Sequence, residues 1–309
     1  MTSRPDTLDV IIVGGGPAGL SAALTLGRCL RRVVVFDAGR PRNAAARVFN
    51  GFLSRDGSTP ADFARICREQ LARYETVALR SATVTSAERG DRHFRVTLDT
   101  GEGMSSRMLL LATGLVDRFP EIEGLSRFYG RTIHSCPLCD GWEHRGKPTA
   151  VLGGTLEAAG LALEMLLWTK DVVLCTHGTL ECDVRTRRRL DRAGIRIIET
   201  LVDSFEGDGD LLRAIRFTDG TVLQRDVLYF YPGQAQQSPL AEQLGCELCP
   251  DDGCIRCDDR AATCVPGLYA AGNASRGVQL VIAAAAEGAL AAVAINNALV
   301  EADTETGEA

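Results

Sequence analysis

Cys136 and Cys139 stand two residues apart and are followed at once by an acid, in His134-Ser135-Cys136-Pro137-Leu138-Cys139-Asp140-Gly141. A Cys-x-x-Cys pair can close a disulfide with little strain and open it again to a nucleophilic thiolate. Pro137 suits the first turn of a helix, so the pair is expected at a helix N-terminus. The positive end of a helix dipole would lower a thiol pKa there. His134 is a candidate for handling protons, against the plainer role of a surface or capping histidine. For the cysteines the plainer roles are a buried reduced pair or half of a metal site.

The dithiol lies between two glycine-rich turns, Gly14-Gly15-Gly16-Pro17-Ala18-Gly19 and Gly153-Gly154. That arrangement suggests electrons passing between a bound redox cofactor and a thiol pair. Val10 to Val13 reads as a buried strand, Leu20 to Leu26 as a helix, and Val33 to Phe36 as a strand ending in Asp37. This is the dinucleotide-binding signature in its proper context. Gly14 permits the tight turn, Gly16 lets a pyrophosphate approach the backbone, and Gly19 lets helix and strand pack closely. The helix N-terminus faces the phosphates, and Asp37 is placed to bind a ribose hydroxyl.

Leu109 to Leu111 is a further buried strand, with Ala112-Thr113-Gly114 as its turn. Ala150 to Leu152 with Gly153-Gly154 opens a second such unit, with a helix through Leu166 and a strand at Val172 to Leu174. Leu268 to Ala271 returns as a strand before Gly272-Asn273. An Ala-rich helix then runs from Val278-Gln279-Leu280 to about Leu299. The expected fold is α/β with two Rossmann-like nucleotide-binding domains, the second inserted into the first. The divisions are 1–115 with 234–309, and 116–233.

With 309 residues, 45% hydrophobic and 24% charged, the chain is long enough for two cored domains and ordinary in composition. A net charge of −6 gives no sign of nucleic-acid binding. Val10 to Val13 is too short for a signal peptide. The stretch Val278 to Ile295 is interrupted by Gln279 and Glu287, so a buried helix is expected rather than a membrane span. A cytoplasmic enzyme is the default expectation. Eleven cysteines without a secretory signal speak against a structural disulfide framework.

The order of these motifs resembles the low-molecular-weight thioredoxin reductase family across essentially the whole chain, down to Val265-Pro266-Gly267-Leu268-Tyr269-Ala270-Ala271-Gly272. The resemblance implies a homodimeric FAD protein with a pyridine-nucleotide domain between two FAD segments. It implies FAD contacts from Gly14, Gly16, Pro17, Ala18, Gly19, Asp37, Ala38, Thr113 and Gly114. Asn50, in Val48-Phe49-Asn50-Gly51, matches a segment beside the isoalloxazine, although a turn residue would look the same. Asn273 replaces the usual Asp of Gly-Asp after Gly272. Val278, Gln279 and Leu280 would open the last helix toward the flavin. Cys139 would be the flavin-facing thiol, Cys136 the outer thiol that exchanges with substrate, and Asp140 the acid/base residue.

The second turn departs from the family. Gly153, Thr155 and Ala158 hold the three key places, so a Cβ stands where a pyrophosphate would approach. Cys175-Thr176-His177-Gly178 lacks the His-Arg-Arg cluster that takes a 2′-phosphate, and Arg185, Arg187, Arg188 and Arg189 read as a solvated helix face. NADPH becomes doubtful, leaving NADH or no pyridine nucleotide. These features resemble the dithiol oxidases of the gliotoxin and holomycin type. In that branch a small-molecule dithiol reduces the cysteine pair, and O2 takes the electrons to give H2O2. The alternative is an NAD(P)H-dependent thioredoxin or disulfide reductase.

Cys246, Cys249, Cys254 and Cys257 suggest a zinc site by spacing. Yet Pro250-Asp251-Asp252-Gly253 is a strong turn, and a hairpin about it would set Cys249 opposite Cys254. Strand alternation then turns neighbouring thiols to opposite faces. No metal site is expected; one zinc per chain would overturn that.

Overall fold

The computed structural model describes residues 8–275 and 277–306. The chain forms two compact units. The first takes the chain up to Arg42, Ala61–Val116 and the chain from Gln234 onward; the second takes Asn43–Pro60 and Asp117–Gly233. Both are α/β. The division drawn from the sequence leaves 43–60 in the first domain, whereas these residues cluster with the second unit.

In the first unit the apolar runs become strands buried on both faces, the habit of parallel sheets. Leu8–Val13 pairs in parallel with Val33–Asp37 and with Gly103–Leu111, setting Val10 opposite Val33 and Ile12 opposite Leu110. Val77–Ser81 extends the sheet beyond Val33–Asp37. Leu268–Ala270 joins Gly103–Leu111, also in parallel. Phe94–Leu98 and Val84–Arg89 continue the sheet as antiparallel strands. A strand from late in the chain thus completes a sheet begun at Leu8.

The helix Pro17–Arg28 follows the first turn, and Val281–Thr306 packs against it. A Cβ on Gly288 would sit 1.9 Å from the Ala18 carbonyl oxygen, so glycine there sets the close approach of the two helices. The late helix starts at Val281, after Val278-Gln279-Leu280 rather than with them. It buries Ala284, Ala291, Ala292, Ile295 and Leu299, and leaves Ile282, Leu290, Val293 and Val300 exposed. The expected buried helix is therefore buried on one face only. By length and composition alone Val281–Glu305 could cross a membrane, but its small residues are used in packing on Pro17–Arg28. Its far end is tied by Asp303, which pairs with Arg31 at 2.8 Å and Arg107 at 2.6 Å. Burial would raise the Asp303 pKa, but the bonds from Arg31 and Arg107 outweigh it and hold the carboxyl below its ordinary value.

The second unit has a parallel sheet in the order Arg196–Ile198, Val172–Cys175, Thr149–Leu152, Val227–Phe230, Ile133–His134. A three-stranded antiparallel sheet, Val202–Asp208, Leu211–Phe217 and Val222–Gln224, adds to it. The helices Leu156–Glu164 and Val184–Arg192 are capped by Thr155 and Asp183. Ile133–His134 is a two-residue edge strand, and its end delivers the chain to Cys136.

Candidate active site

Cys136 and Cys139 are joined in a disulfide. Cys136 caps the helix Pro137–Asp140, with Pro137 at its start. That helix is a single turn, and the amides of Cys139 and Asp140 already bond the Cys136 carbonyl oxygen. The electrostatic help expected from a helix dipole therefore shrinks, because so short a helix sums few peptide dipoles. Both sulfurs belong to half-buried residues, while Leu138 and Trp142 beside them are each 66% exposed. The Arg145 guanidinium lies over the Trp142 ring, 4.2 Å from its centre. Asn50 donates its amide to the Cys139 carbonyl oxygen at 2.9 Å. The 43–60 segment thus supports the disulfide from within the second unit.

The acid of the motif has a partner. His134 Nδ1 lies 3.2 Å from Asp140 Oδ2, and the imidazole is buried. Its Nε2 faces two groups, His144 Nε2 at 2.9 Å and the Arg131 carbonyl oxygen at 3.1 Å. His144 Nδ1 in turn lies 3.2 Å from Lys147 Nζ. Burial lowers the His144 pKa to about 4, with the charges of His134 and Lys147 adding to it against the pull of Asp140. His144 is therefore neutral at neutral pH. Tyr229, opposite His134 in the strand register, stacks on it with ring centres 5.5 Å apart. Its hydroxyl is buried without a hydrogen-bond partner among the described residues. Burial, reinforced by Asp140 and Glu143, raises its pKa above the ordinary phenol value.

In the first unit, the turn after Leu8–Val13 holds Gly14 at φ +118°, where a Cβ would meet the Ala112 carbonyl oxygen at 2.1 Å. A Cβ on Gly19 would lie 1.9 Å from the Gly14 carbonyl oxygen, so helix and turn touch through glycine. Gly16 has open space over its Cα, and no side chain caps the helix that begins at Pro17. Asp37 ends its strand and accepts from the Gly39 amide and from Arg68; Ala38 beside it is exposed. Thr113, Gly114, Gly272 and Asn273 follow the neighbouring strands Gly103–Leu111 and Leu268–Ala270. All these residues thus gather at the carboxyl ends of adjacent parallel strands, where open α/β sheets bind ligands. The Gly272 amide donates to Glu287. Gln279 exchanges amide bonds with Gln234 and accepts from Arg42; Val278 is exposed and Leu280 half-buried.

The second turn has nearly the same backbone and different contents. Thr155 takes the place of Gly16, and its hydroxyl accepts from the Ala158 amide. A cleft of about 570 Å³ opens here, lined by Gly153, Gly154, Thr155, His177, Glu181 and Arg118 among others. The arginines at 185, 187, 188 and 189 lie exposed on Val184–Arg192 and are not among its lining.

The family model for pyridine nucleotide-disulphide oxidoreductases matches residues 8–288. The chain belongs to the pyridine nucleotide-disulphide oxidoreductase family. It is similar to the thioredoxin reductase tcpT of Claviceps purpurea, 32% identical over 287 residues, covering 88% of each chain. Among solved structures it is similar to HlmI, with a TM-score of 0.92 and 35% identity, covering 98% of this chain and 96% of that one. An oxidoreductase from Agrobacterium tumefaciens matches with a TM-score of 0.89 and 31% identity, over 95% of this chain and 99% of that one.

Membership of this family implies FAD binding. The first turn fits that group: Gly16 leaves a backbone cradle that a Cβ would fill, over a helix start with no competing cap. An oxidoreductase with a disulfide next to a carboxylate–imidazole pair is equipped to exchange thiols and move their protons. His144, Lys147 and Tyr229 were not singled out from the sequence. A second histidine close after the Cys-x-x-Cys was the available signal for His144; nothing local marks Tyr229, which arrives through strand pairing.

Proposed function

We propose that this chain is an FAD-dependent thiol-disulfide oxidoreductase that oxidises a small-molecule dithiol to a disulfide, with O2 as acceptor and H2O2 as product. The observation that carries the proposal is the contrast between an intact disulfide site and a second nucleotide turn that caps itself. Thr155 occupies the amide that a pyrophosphate would use, and Glu181 adds a carboxylate to the same cleft. The arginines available for a 2′-phosphate lie elsewhere. The Cys136–Cys139 motif and the missing arginine cluster are the features that resemble the dithiol-oxidase branch.

In this reading the substrate thiolate attacks Cys136, the S–S bond to Cys139 breaks, and the substrate's second thiol closes its own disulfide as Cys136 leaves. Two electrons and two protons pass from substrate to the enzyme dithiol. Asp140, held by His134, moves protons at the sulfurs. Leu138 and Trp142 offer apolar contact to the dithiol. Bound FAD supplies the electron path from the dithiol to oxygen. Its phosphates would rest on Gly14, Gly16, Pro17, Ala18 and Gly19, its ribose on Asp37 and Ala38, with further contacts from Thr113, Gly114, Gly272, Asn273, Val278, Gln279 and Leu280. A homodimer and a cytoplasmic location complete the proposal.

The second reading is an NAD(P)H-dependent thioredoxin or disulfide reductase. It is favoured by the retained cleft at the second turn and by relatives named thioredoxin reductase. The test is steady-state oxygen uptake by the holoenzyme with dithiothreitol and no nicotinamide. The proposal expects turnover with one peroxide formed per oxygen. Turnover that starts only when NADH or NADPH is added, with a disulfide as acceptor, supports the reductase.

A further inference from the structure

Four polar groups run in line from the surface to the disulfide: Lys147, His144, His134 and Asp140, with successive contacts of 3.2, 2.9 and 3.2 Å. Their donors and acceptors can be assigned by counting. An ammonium only donates, so Lys147 presents N–H to His144 Nδ1. Neutral His144 then carries its proton on Nε2 and points it at His134 Nε2. His134 accepts there, keeps its own proton on Nδ1, and donates it to the Asp140 carboxylate. Every donor in the line points toward Asp140.

The Arg131 carbonyl oxygen adds the second half of the argument. A carbonyl only accepts, and it lies 3.1 Å from His134 Nε2. It would be wasted on the neutral form just described. When His134 takes the His144 proton, its Nε2–H has this oxygen to bond, and its Nδ1–H still has Asp140. Both protonation states of His134 are therefore provided with partners. Tyr229 covers one side of the ring and Glu143 lies within electrostatic reach of that tyrosine.

We propose that Lys147 and His144 are positioning residues of a proton path that recharges Asp140 through His134 during exchange at Cys136–Cys139. The proposal rests on the reading of the chain as a thiol-disulfide oxidoreductase. The step it serves is balanced. A substrate thiolate forms a bond to one cysteine sulfur, the Cys136–Cys139 bond breaks, and the departing sulfur carries the electron pair away as a thiolate. His134 Nδ1 hands its proton to Asp140, which passes it to that thiolate; His144 Nε2 then reprotonates His134, and Lys147 replaces the His144 proton and is itself recharged from water. The depressed basicity of His144 suits this role, since a ring that stayed charged could not accept from Lys147.

The test measures how fast dithiothreitol opens the disulfide in the holoenzyme, by rapid alkylation and mass analysis across neutral pH. His144→Ala is expected to open it about tenfold more slowly, with added imidazole restoring the rate. Lys147→Met is expected to slow opening by a smaller factor and to alter the pH profile, with Lys147→Arg restoring both. Lys147 is partly exposed, so its variants keep the test alive if His144→Ala folds poorly. Parental rates and pH profiles in both His144→Ala and Lys147→Met overturn the path. So does a slow His144→Ala that imidazole does not rescue while Lys147→Met behaves as the parent. A parental disulfide that dithiothreitol does not open overturns instead the functional reading beneath it.

Discussion

Gly16 and Thr155 occupy the same place in two turns of similar backbone, with φ and ψ of −79° and −176° in the first and −99° and 168° in the second. Both follow a buried parallel strand, both follow a glycine at positive φ, and both begin a helix. The first turn leaves its helix start uncapped and open. The second satisfies itself, because the Thr155 hydroxyl accepts from the Ala158 amide. A helix start offers orphan amides to whatever anion or side chain reaches them first. An uncapped helix start and a capped one thus stand on the same fold, separated at this place by the Thr155 side chain.

The comparison breaks most violently at Gly19. A Cβ there would stand 1.9 Å from the Gly14 carbonyl oxygen, and backbone has to move. Gly19→Ala is expected to destabilise the first unit by about 3 kcal/mol and release flavin, measured by denaturant unfolding and bound absorbance. The corresponding place in the second turn is already Ala158.

Gly16→Thr carries the second turn's contents into the first. The new cap changes stability by only a few tenths of a kcal/mol, so folding and cofactor binding separate. The expected result is an unchanged unfolding midpoint with FAD retained about tenfold less tightly, a loss of ~1.4 kcal/mol. Full flavin occupancy would show that Gly16 is not a phosphate cradle.

The reverse exchange, Thr155→Gly, has the smallest expected effect. It removes the cap, again at a few tenths of a kcal/mol, and frees the amide. Flavin reduction by NADH is expected to quicken modestly, while reduction by a dithiol stays the same. An unchanged NADH response would place the obstacle elsewhere in the cleft, with Glu181 the next candidate.

Much of the fold was legible because parallel strands buried on both faces leave unbroken apolar runs, as at Val10–Val13, Leu109–Leu111 and Ala150–Leu152. Turn glycines marked their ends. The affiliation of 43–60 was not legible, since it depends on bonds such as Asn50 to the Cys139 carbonyl oxygen that no local pattern announces. The single-turn length of Pro137–Asp140 was hidden for a related reason: Gly141 packs against Trp168, and the chain then leaves in turns. In the site, the Cys-x-x-Cys pair, Asp140 and His134 were visible as a contiguous motif. His144 and Lys147 lie in the irregular stretch after it, and only the folded turn aligns them with His134. The half-exposed face of Val281–Thr306 was missed because an Ala-rich sequence carries little periodicity to tell a buried side from an open one.

The most direct test of the account is an anaerobic titration of the holoenzyme, following the flavin absorbance with dithiothreitol, NADH and NADPH in separate samples. The account predicts that the dithiol bleaches the flavin, that oxygen then restores it with peroxide release, and that neither nicotinamide bleaches it at a comparable rate. Rapid bleaching by NADH or NADPH, with slow response to the dithiol, would contradict it and make the self-capped second turn a working nucleotide site.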